Sequence, residues 1–73
     1  MDSISITTEY IKLQQALKLS GIIGQGSDAK LIIGGGDVYV NGIVATERGK
    51  KIRGGDIVLV DGFGEFAVEY EEA

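Results

Sequence analysis

The residues most able to do chemistry in this sequence are the cations of Arg48-Gly49-Lys50-Lys51-Ile52-Arg53. Four positive charges fall within six residues, although the 73-residue chain has a formal net charge of −4 at pH 7. Because like charges repel, such a cluster needs either acidic neighbours within the fold or an anionic partner. The basic run therefore leaves two interpretations, internal neutralisation and the binding of an anionic ligand.

Positive and negative charges are concentrated in different parts of the chain. Residues 12–53 contain seven cations and three acids, a net charge of +4, whereas residues 1–11 carry −2 and residues 54–73 carry −6. In one interpretation the tail carboxylates of Glu69, Glu71 and Glu72 neutralise the lysines, and in the other the basic middle faces an anionic polymer. The seven cations are Lys12, Lys18, Lys30, Arg48, Lys50, Lys51 and Arg53.

The composition argues against catalysis. The chain has neither Cys nor His, which removes the thiolate and imidazole metal ligands and the commonest general base at neutral pH. The Ser27-x-x-Lys30 spacing is explained by a helix start, since the other residues of a Ser/Lys hydrolase are missing. The glycines of residues 21–26 do not match a dinucleotide fingerprint, which needs a preceding strand. We therefore predict that the protein is not an enzyme and uses no metal or cofactor.

The length and the apolar runs predict a small soluble protein. A chain of this size forms one domain, here residues 1–73. The longest apolar run, Ile57-Val58-Leu59-Val60, is too short to span a bilayer or to form a signal-peptide core. These features predict a cytoplasmic location.

Hydrophobic periodicity predicts a strand followed by two short helices. Residues 3–7 alternate between polar and apolar, as in a strand with one buried face. From Lys12 the period becomes helical, and Gly21 is a suitable residue to follow the helix. A second helix is predicted from an N-cap at Ser27 to the glycines of residues 34–36.

The rest of the chain is predicted to form strands joined by tight turns. Asn41-Gly42 supplies the positive φ angles of a type I′ turn between two strands. Further strands are predicted over residues 56–60 and 65–70, separated by the turn of residues 61–64. The predicted fold is α+β, with two short helices packed on a small antiparallel sheet. Its predicted core consists of Leu13, Leu17, Ile32, Ile33, Val38, Val40, Ile57, Leu59 and Phe66.

Four segments in order resemble the alpha-L RNA-binding motif, the domain type named after ribosomal small-subunit protein S-four. They are Leu13-Gln14-Gln15-Ala16-Leu17-Lys18, Ser27-Asp28-Ala29-Lys30-Leu31-Ile32, Gly36-Asp37-Val38-Tyr39-Val40-Asn41-Gly42 and Lys51-Ile52-Arg53-Gly54-Gly55-Asp56. The flanking segments Ile4-Ser5-Ile6-Thr7-Thr8-Glu9 and Asp61-Gly62-Phe63-Gly64-Glu65-Phe66 look like the short stand-alone YaaA-like branch of that family.

The resemblance implies RNA binding by the two helices and the following hairpin, with ribosomal or transfer RNA as the usual target. Lys12 matches the basic residue that opens the family's first helix, and Ser27 and Lys30 match polar and basic positions of its second. Two positions depart from the pattern. Gly26 stands where the family commonly has arginine, and Gln14 replaces a frequent aspartate.

The physics of RNA recognition favours the same surface. Proteins bind A-form RNA largely through its shape and phosphates, and the start of the second helix would add amide donors for a phosphate. Base stacking is not predicted, because Tyr39 lies mid-strand and Phe63, Phe66 and Tyr70 are assigned to the core. The candidate RNA-binding residues are Lys12, Gln15, Ser27, Lys30, Arg48, Lys50, Lys51 and Arg53.

The predicted partner is a structured RNA, with a ribonucleoprotein particle as its wider setting, bound by a monomer. The alternative is a protein-interaction module that works through the acidic C-terminal half. In that case the basic run would pair internally with the acids of residues 65–72.

Overall fold

A computed structural model describes residues 2–23 and 26–72, without the side chains of residues 26–28. This part of the chain contains two helices, α1 (Leu13–Ser20) and α2 (Gly26–Gly34). Its strands are β1 (Asp2–Ile6), β2 (Ile11–Lys12), β3 (Val38–Val40), β4 (Ile43–Val44), β5 (Lys51–Ile52), β6 (Ile57–Val60) and β7 (Gly64–Tyr70).

Five strands form one mixed sheet in the order β1-β7-β6-β3-β4. Strands β4, β3, β6 and β7 are antiparallel to one another in that order, as predicted. Strand β1, however, runs parallel to β7, with Asp2 opposite Phe66 and Ile6 opposite Tyr70. The α+β class is confirmed, whereas the wholly antiparallel sheet is wrong. The two paired strands are joined by almost the whole chain, and a connection of that length permits parallel pairing.

The hairpin prediction is confirmed in detail. Asn41 and Gly42 connect β3 to β4 with φ angles of 53° and 83°, which are the positive values of a type I′ turn. The Asn41 side chain extends the turn to β6, because its Oδ1 accepts the Ile57 N–H at 2.9 Å. Its Nδ2 donates to Asp56 Oδ1 at 3.0 Å. The turn is therefore fixed by side-chain bonds as well as by backbone conformation.

The two helices differ in how well their ends were predicted. Gly21 follows α1 with a φ of 80°, and its N–H donates to Lys18 O, as a glycine cap does. Helix α2 begins at Gly26, so Ser27 lies inside the first turn and is not the N-cap. The predicted loop residues Gly24 and Gln25 lie outside the described residues, as does the side chain of Ser27.

One face of the sheet is buried against the helices. Val58 lies opposite both Val40 and Phe66, and all three pack with Leu13 and Leu17 of α1 in a single core. Six of the nine predicted core residues are buried: Leu13, Leu17, Ile33, Val38, Val40 and Phe66. This cluster carries the hydrophobic stabilisation of the domain.

Strand β6 was predicted with the wrong face inward. Val58 and Val60 are fully buried, whereas Leu59 is 40% exposed and Ile57 is half-buried. Four consecutive apolar residues show no alternation, so their pattern does not indicate which set faces the core. The remaining predicted core residue, Ile32, is half-buried.

Two aromatic residues assigned to the core are also exposed. The side chains of Phe63 and Tyr70 are 61% and 53% exposed. Phe63 lies in the turn between β6 and β7, and Tyr70 ends β7. Phe63 is therefore outside the strands, and Tyr70, although on the same face of β7 as Phe66 and Val68, lies at the end of the strand beyond the covered part of that face.

Gly54 packs closely against Tyr70 of β7. A Cβ built on it would be 2.7 Å from Tyr70 Cβ and 3.0 Å from Tyr70 N. We expect Gly54→Ala to destabilise the domain by about 1–3 kcal/mol, because the backbone of one segment must move. Thermal denaturation followed by circular dichroism measures the change.

The matched control is Gly49→Ala. A Cβ on Gly49 has no atom within 4 Å, so this variant should stay within about 0.5 kcal/mol of the parent. Equal melting temperatures for the two variants would show that the close approach to β7 does not constrain residue 54.

Candidate nucleic-acid interface

Three of the predicted cations converge on one open groove of about 630 Å³. Lys12 comes from the start of α1, Lys30 from α2 and Arg48 from the loop after β4. The side chains of all three are exposed. We call this feature the basic groove; it is lined by Lys12, Gln14, Lys30, Gly34, Thr46, Glu47, Arg48 and Gly49. Among the described side chains, its walls carry three cations and one carboxylate, an arrangement suited to bind an anion.

The loop after β4 is attached to the N-terminus of α1 by its backbone. The N–H of Leu13 donates to Lys50 O at 2.8 Å, and the N–H of Gln14 donates to Arg48 O at 3.1 Å. A helix N-terminus has amide groups without partners in the helix, and two of them are satisfied here by loop carbonyls. The same two bonds therefore start the helix and hold Arg48 beside Lys12.

A two-stranded ladder completes the attachment. In β2 and β5, Ile11 pairs with Ile52 and Lys12 pairs with Lys51. Ile52 is fully buried, so an apolar side chain anchors the basic run in the core. Sequence reasoning missed this ladder, because two-residue strands give no periodicity.

Gln15 has a structural role at this point. Its side-chain Oε1 accepts the backbone N–H of Lys12 at 3.0 Å, which is the Gln half of a capping box. The predicted contact of Gln15 with a ligand stays a prediction. The hydrogen bond explains why glutamine is suitable at this position in the absence of any ligand.

The other predicted cations border a second depression, beside the hairpin turn. Lys50, Lys51 and Arg53 lie around a concavity of about 300 Å³ that also includes residues of β3 and β4. Asp56 lines it too, but the carboxylate accepts hydrogen bonds from the Arg53 N–H and the Asn41 amide. We call this feature the hairpin concavity. It continues the cationic surface from Lys12 through Lys51.

Comparison with known proteins identifies the family. A model of the S4 domain matches residues 4–69. The chain belongs to the S4 domain family. It is also 45% identical over 65 residues to the "Probable ribosome maturation protein RlbA" of Bacillus subtilis (strain 168), covering 89% of this chain and 92% of that protein. The resemblance stated from the sequence motifs is therefore confirmed.

Tyr10 joins the cationic surface of this S4 domain without having been predicted there. Lys51 Nζ lies 4.9 Å from the centre of its ring, and Arg53 Cζ lies 6.0 Å from it. Cation–π contacts of this length orient cationic side chains on a protein surface. The signal was absent from the sequence, because the contact arises only when β2 pairs with β5.

The cations of the S4 domain are not neutralised by hydrogen-bonded carboxylates within the described residues. No side-chain hydrogen bond there joins a Lys or Arg side chain to an acid. The Glu71 carboxylate instead accepts from Ser5 Oγ at 3.0 Å, on β1. This tail carboxylate is therefore bonded to β1 and not to the basic run.

Residues 2–23 and 26–72 contain neither a cluster of metal-ligating side chains nor a long apolar helix. No group of three or more His, Cys, Asp or Glu residues there could hold a metal ion. None of the described helices is long and apolar enough to span a membrane.

Proposed function

We propose that this S4 domain is a non-catalytic RNA-binding protein that acts in ribosome maturation. It docks on structured RNA through phosphate contacts from the basic groove and the hairpin concavity. The observation that carries the proposal is the convergence of Lys12, Lys30 and Arg48, which come from three separate segments, on one groove. The name of the Bacillus relative supports the connection to the ribosome.

The geometry favours a folded RNA over an unpaired strand. The lining of the basic groove includes no aromatic side chain, and Tyr10, on the neighbouring part of the cationic surface, has Lys51 and Arg53 beside its ring, whereas proteins that bind single strands usually stack successive bases on several aromatic residues. Exposed cations spread over two neighbouring depressions suit phosphates that follow one another along a helix. Phosphate contacts fix the position of a protein on RNA without reading its sequence.

Ribosomal RNA is the target that we propose within this class. A maturation factor meets its RNA inside a ribonucleoprotein particle, so the protein would act where those particles assemble, in the cytoplasm. Shape and the placement of phosphates would select the site on the particle. Transfer RNA, the other target implied by the resemblance, serves as the comparison ligand.

The hairpin concavity provides the first test. Replacing Lys50 and Lys51 together by alanine should weaken binding to a ribosomal RNA hairpin and to a transfer RNA by similar factors, because phosphates are the same in both RNAs. The slope of log K against log salt should become shallower by roughly 0.7–0.9 for each phosphate that the variant no longer neutralises. Fluorescence anisotropy with labelled RNAs at several salt concentrations measures both quantities.

Lys18→Ala is the control for this test. Lys18 lies in the last turn of α1, and its side chain is exposed, but it lines neither the basic groove nor the hairpin concavity. Its removal takes away one positive charge with little effect on the proposed contacts. If the double variant kept the affinity and salt slope of the parent protein, the hairpin concavity would not contact RNA.

A further inference from the structure

A further depression lies beside the hairpin concavity and has a different chemical character. Its volume is about 390 Å³, and it is lined by Glu9, Arg53, Gly54 and Tyr70. Arg53 also lines the hairpin concavity, so the two depressions share a cationic wall. We call this feature the Tyr70 pocket. It combines an aromatic ring, a guanidinium group and a carboxylate, whereas the lining of the basic groove includes no aromatic side chain.

Backbone pairing between distant segments places Glu9 in the Tyr70 pocket. Strands β2 and β5 are antiparallel, and the residues that precede β2 therefore lie beside those that follow β5. This arrangement brings Glu9 next to Arg53 and Gly54. The Thr8 hydroxyl donates to Tyr10 O at 2.9 Å and so spans Glu9. The segment that carries Glu9 is therefore held by a bond that leaves its carboxylate unused.

Tyr70 supplies the aromatic surface of the pocket. Its backbone is fixed, since Tyr70 lies opposite Ile6 in the pairing of β1 with β7 and Gly54 packs against its Cβ. The residue is nevertheless 53% exposed. Tyr10 differs, because two cationic side chains already lie beside its ring. An exposed ring on an anchored backbone is a suitable platform for a planar ligand such as a nucleobase.

The polar groups of the Tyr70 pocket are available to a ligand. Within residues 2–23 and 26–72, no hydrogen bond uses the Glu9 carboxylate, the Arg53 guanidinium or the Tyr70 hydroxyl. A carboxylate repels phosphates, but it accepts two neighbouring N–H groups at once. Guanine presents such a pair, N1–H and N2–H, on its Watson–Crick edge. Adenine and cytosine present one amino group there, and uracil presents one N–H between two acceptors.

We propose that the Tyr70 pocket binds one unpaired guanine of the RNA that docks on the neighbouring cations. The base stacks on the Tyr70 ring, Glu9 accepts from its N1–H and N2–H, and Arg53 binds the phosphate of the same nucleotide. The guanine must be unpaired, because base pairing hides the edge that Glu9 recognises. One ring accommodates one extruded base, so the rest of the RNA stays folded. This inference rests on the proposed function and adds to it a contact that reads sequence.

The test compares three RNA hairpins that share one stem and carry a bulged guanine, a bulged uridine or no bulge. Fluorescence anisotropy at one salt concentration gives the Kd of each. We expect the guanine hairpin to bind about five-fold or more tightly than either of the others, which is the lower end of the range for one base stacked on an aromatic ring. We call this ratio of Kd values the guanine preference.

Variants of the pocket test its two contacts with the base separately. Tyr70→Leu removes the ring and Glu9→Ala removes the acceptor, so each should bring the guanine preference toward one, whereas Tyr70→Phe should retain it. Glu69→Ala is the matched charge control, because Glu69 is also an exposed acid but does not line the pocket, and it too should retain the preference. Circular dichroism verifies that each variant is folded. An unchanged preference in folded Tyr70→Leu or Glu9→Ala would overturn the proposal.

The same measurements distinguish this inference from the proposed function. If the parent protein bound all three hairpins equally, the pocket would not read a base, yet the proposed function would stand. If it bound none of them, both would be wrong. GMP is the probe for the other source of the same chemistry, a free nucleotide. If ¹⁵N-labelled protein bound GMP as tightly as the guanine hairpin, a free nucleotide would be the ligand and the proposed RNA contact would be wrong.

Discussion

Replacing Lys12, Lys30 and Arg48 together by alanine is expected to lower the affinity for structured RNA about 100- to 500-fold at roughly 0.1 M salt. The three side chains line one groove, and each phosphate contact releases counterions that contribute a factor of roughly 5–8 at this salt concentration. The slope of log K against log salt should become shallower by about 2–3 units. Anisotropy titrations at several salt concentrations give both values.

The fold should survive the triple substitution, because the three side chains are exposed. The Gln15 cap also survives, since it accepts from the backbone of Lys12 and not from its side chain. Circular dichroism checks this point, and Lys18→Ala again provides the charge control. A folded triple variant with the parent's affinity and salt slope would exclude the basic groove as the RNA contact surface.

The largest stability effect is expected for Leu17→Ala. Leu17 is fully buried, with 0% exposure, and its truncation should destabilise the domain by about 2–5 kcal/mol. A protein of this size has only about 5–15 kcal/mol of stability in total, so this substitution removes a large part of it. Urea denaturation measures the free energy of unfolding.

Leu59→Ala is the matched control, because it makes the same chemical change at a site that is 40% exposed. Its effect should be clearly smaller, since part of the side chain is already in water and no closed cavity forms. A larger destabilisation at Leu59 than at Leu17 would mean that β6 has the opposite face inward, as the sequence suggested.

The sequence predicted the structure correctly where the residues of a short segment favour a single conformation. Asn41-Gly42 predicts its hairpin because few other residue pairs adopt two positive φ angles, and the period of α1 places Leu13 and Leu17 in the core. Strand β6 shows the opposite case. Its inward face is determined by Val58 pairing with Val40 and Phe66. A run of four apolar residues does not indicate which two of them face the core.

The candidate site was likewise predicted only in part from the sequence. Charge counting located the basic run, because charge can be read without a fold. The sequence predicted that Lys12, Lys30 and Arg48 share one surface, but not how Arg48 is held beside Lys12, since that depends on backbone carbonyls of the loop accepting from Leu13 and Gln14. Backbone bonds of this kind have no side-chain signature, and Tyr10 was missed for the same reason.

The parallel pairing of β1 with β7 has a consequence for biosynthesis. Asp2 pairs with Phe66, 64 residues later, so β1 is translated well before the strand with which it pairs. Contacts between such distant residues raise the contact order and slow folding. At about 5–20 residues per second, the growing chain spends several seconds with Ile4 and Ile6 unpaired. The five-stranded sheet is therefore completed only after translation of β7, and until then β1 lacks the strand with which it pairs.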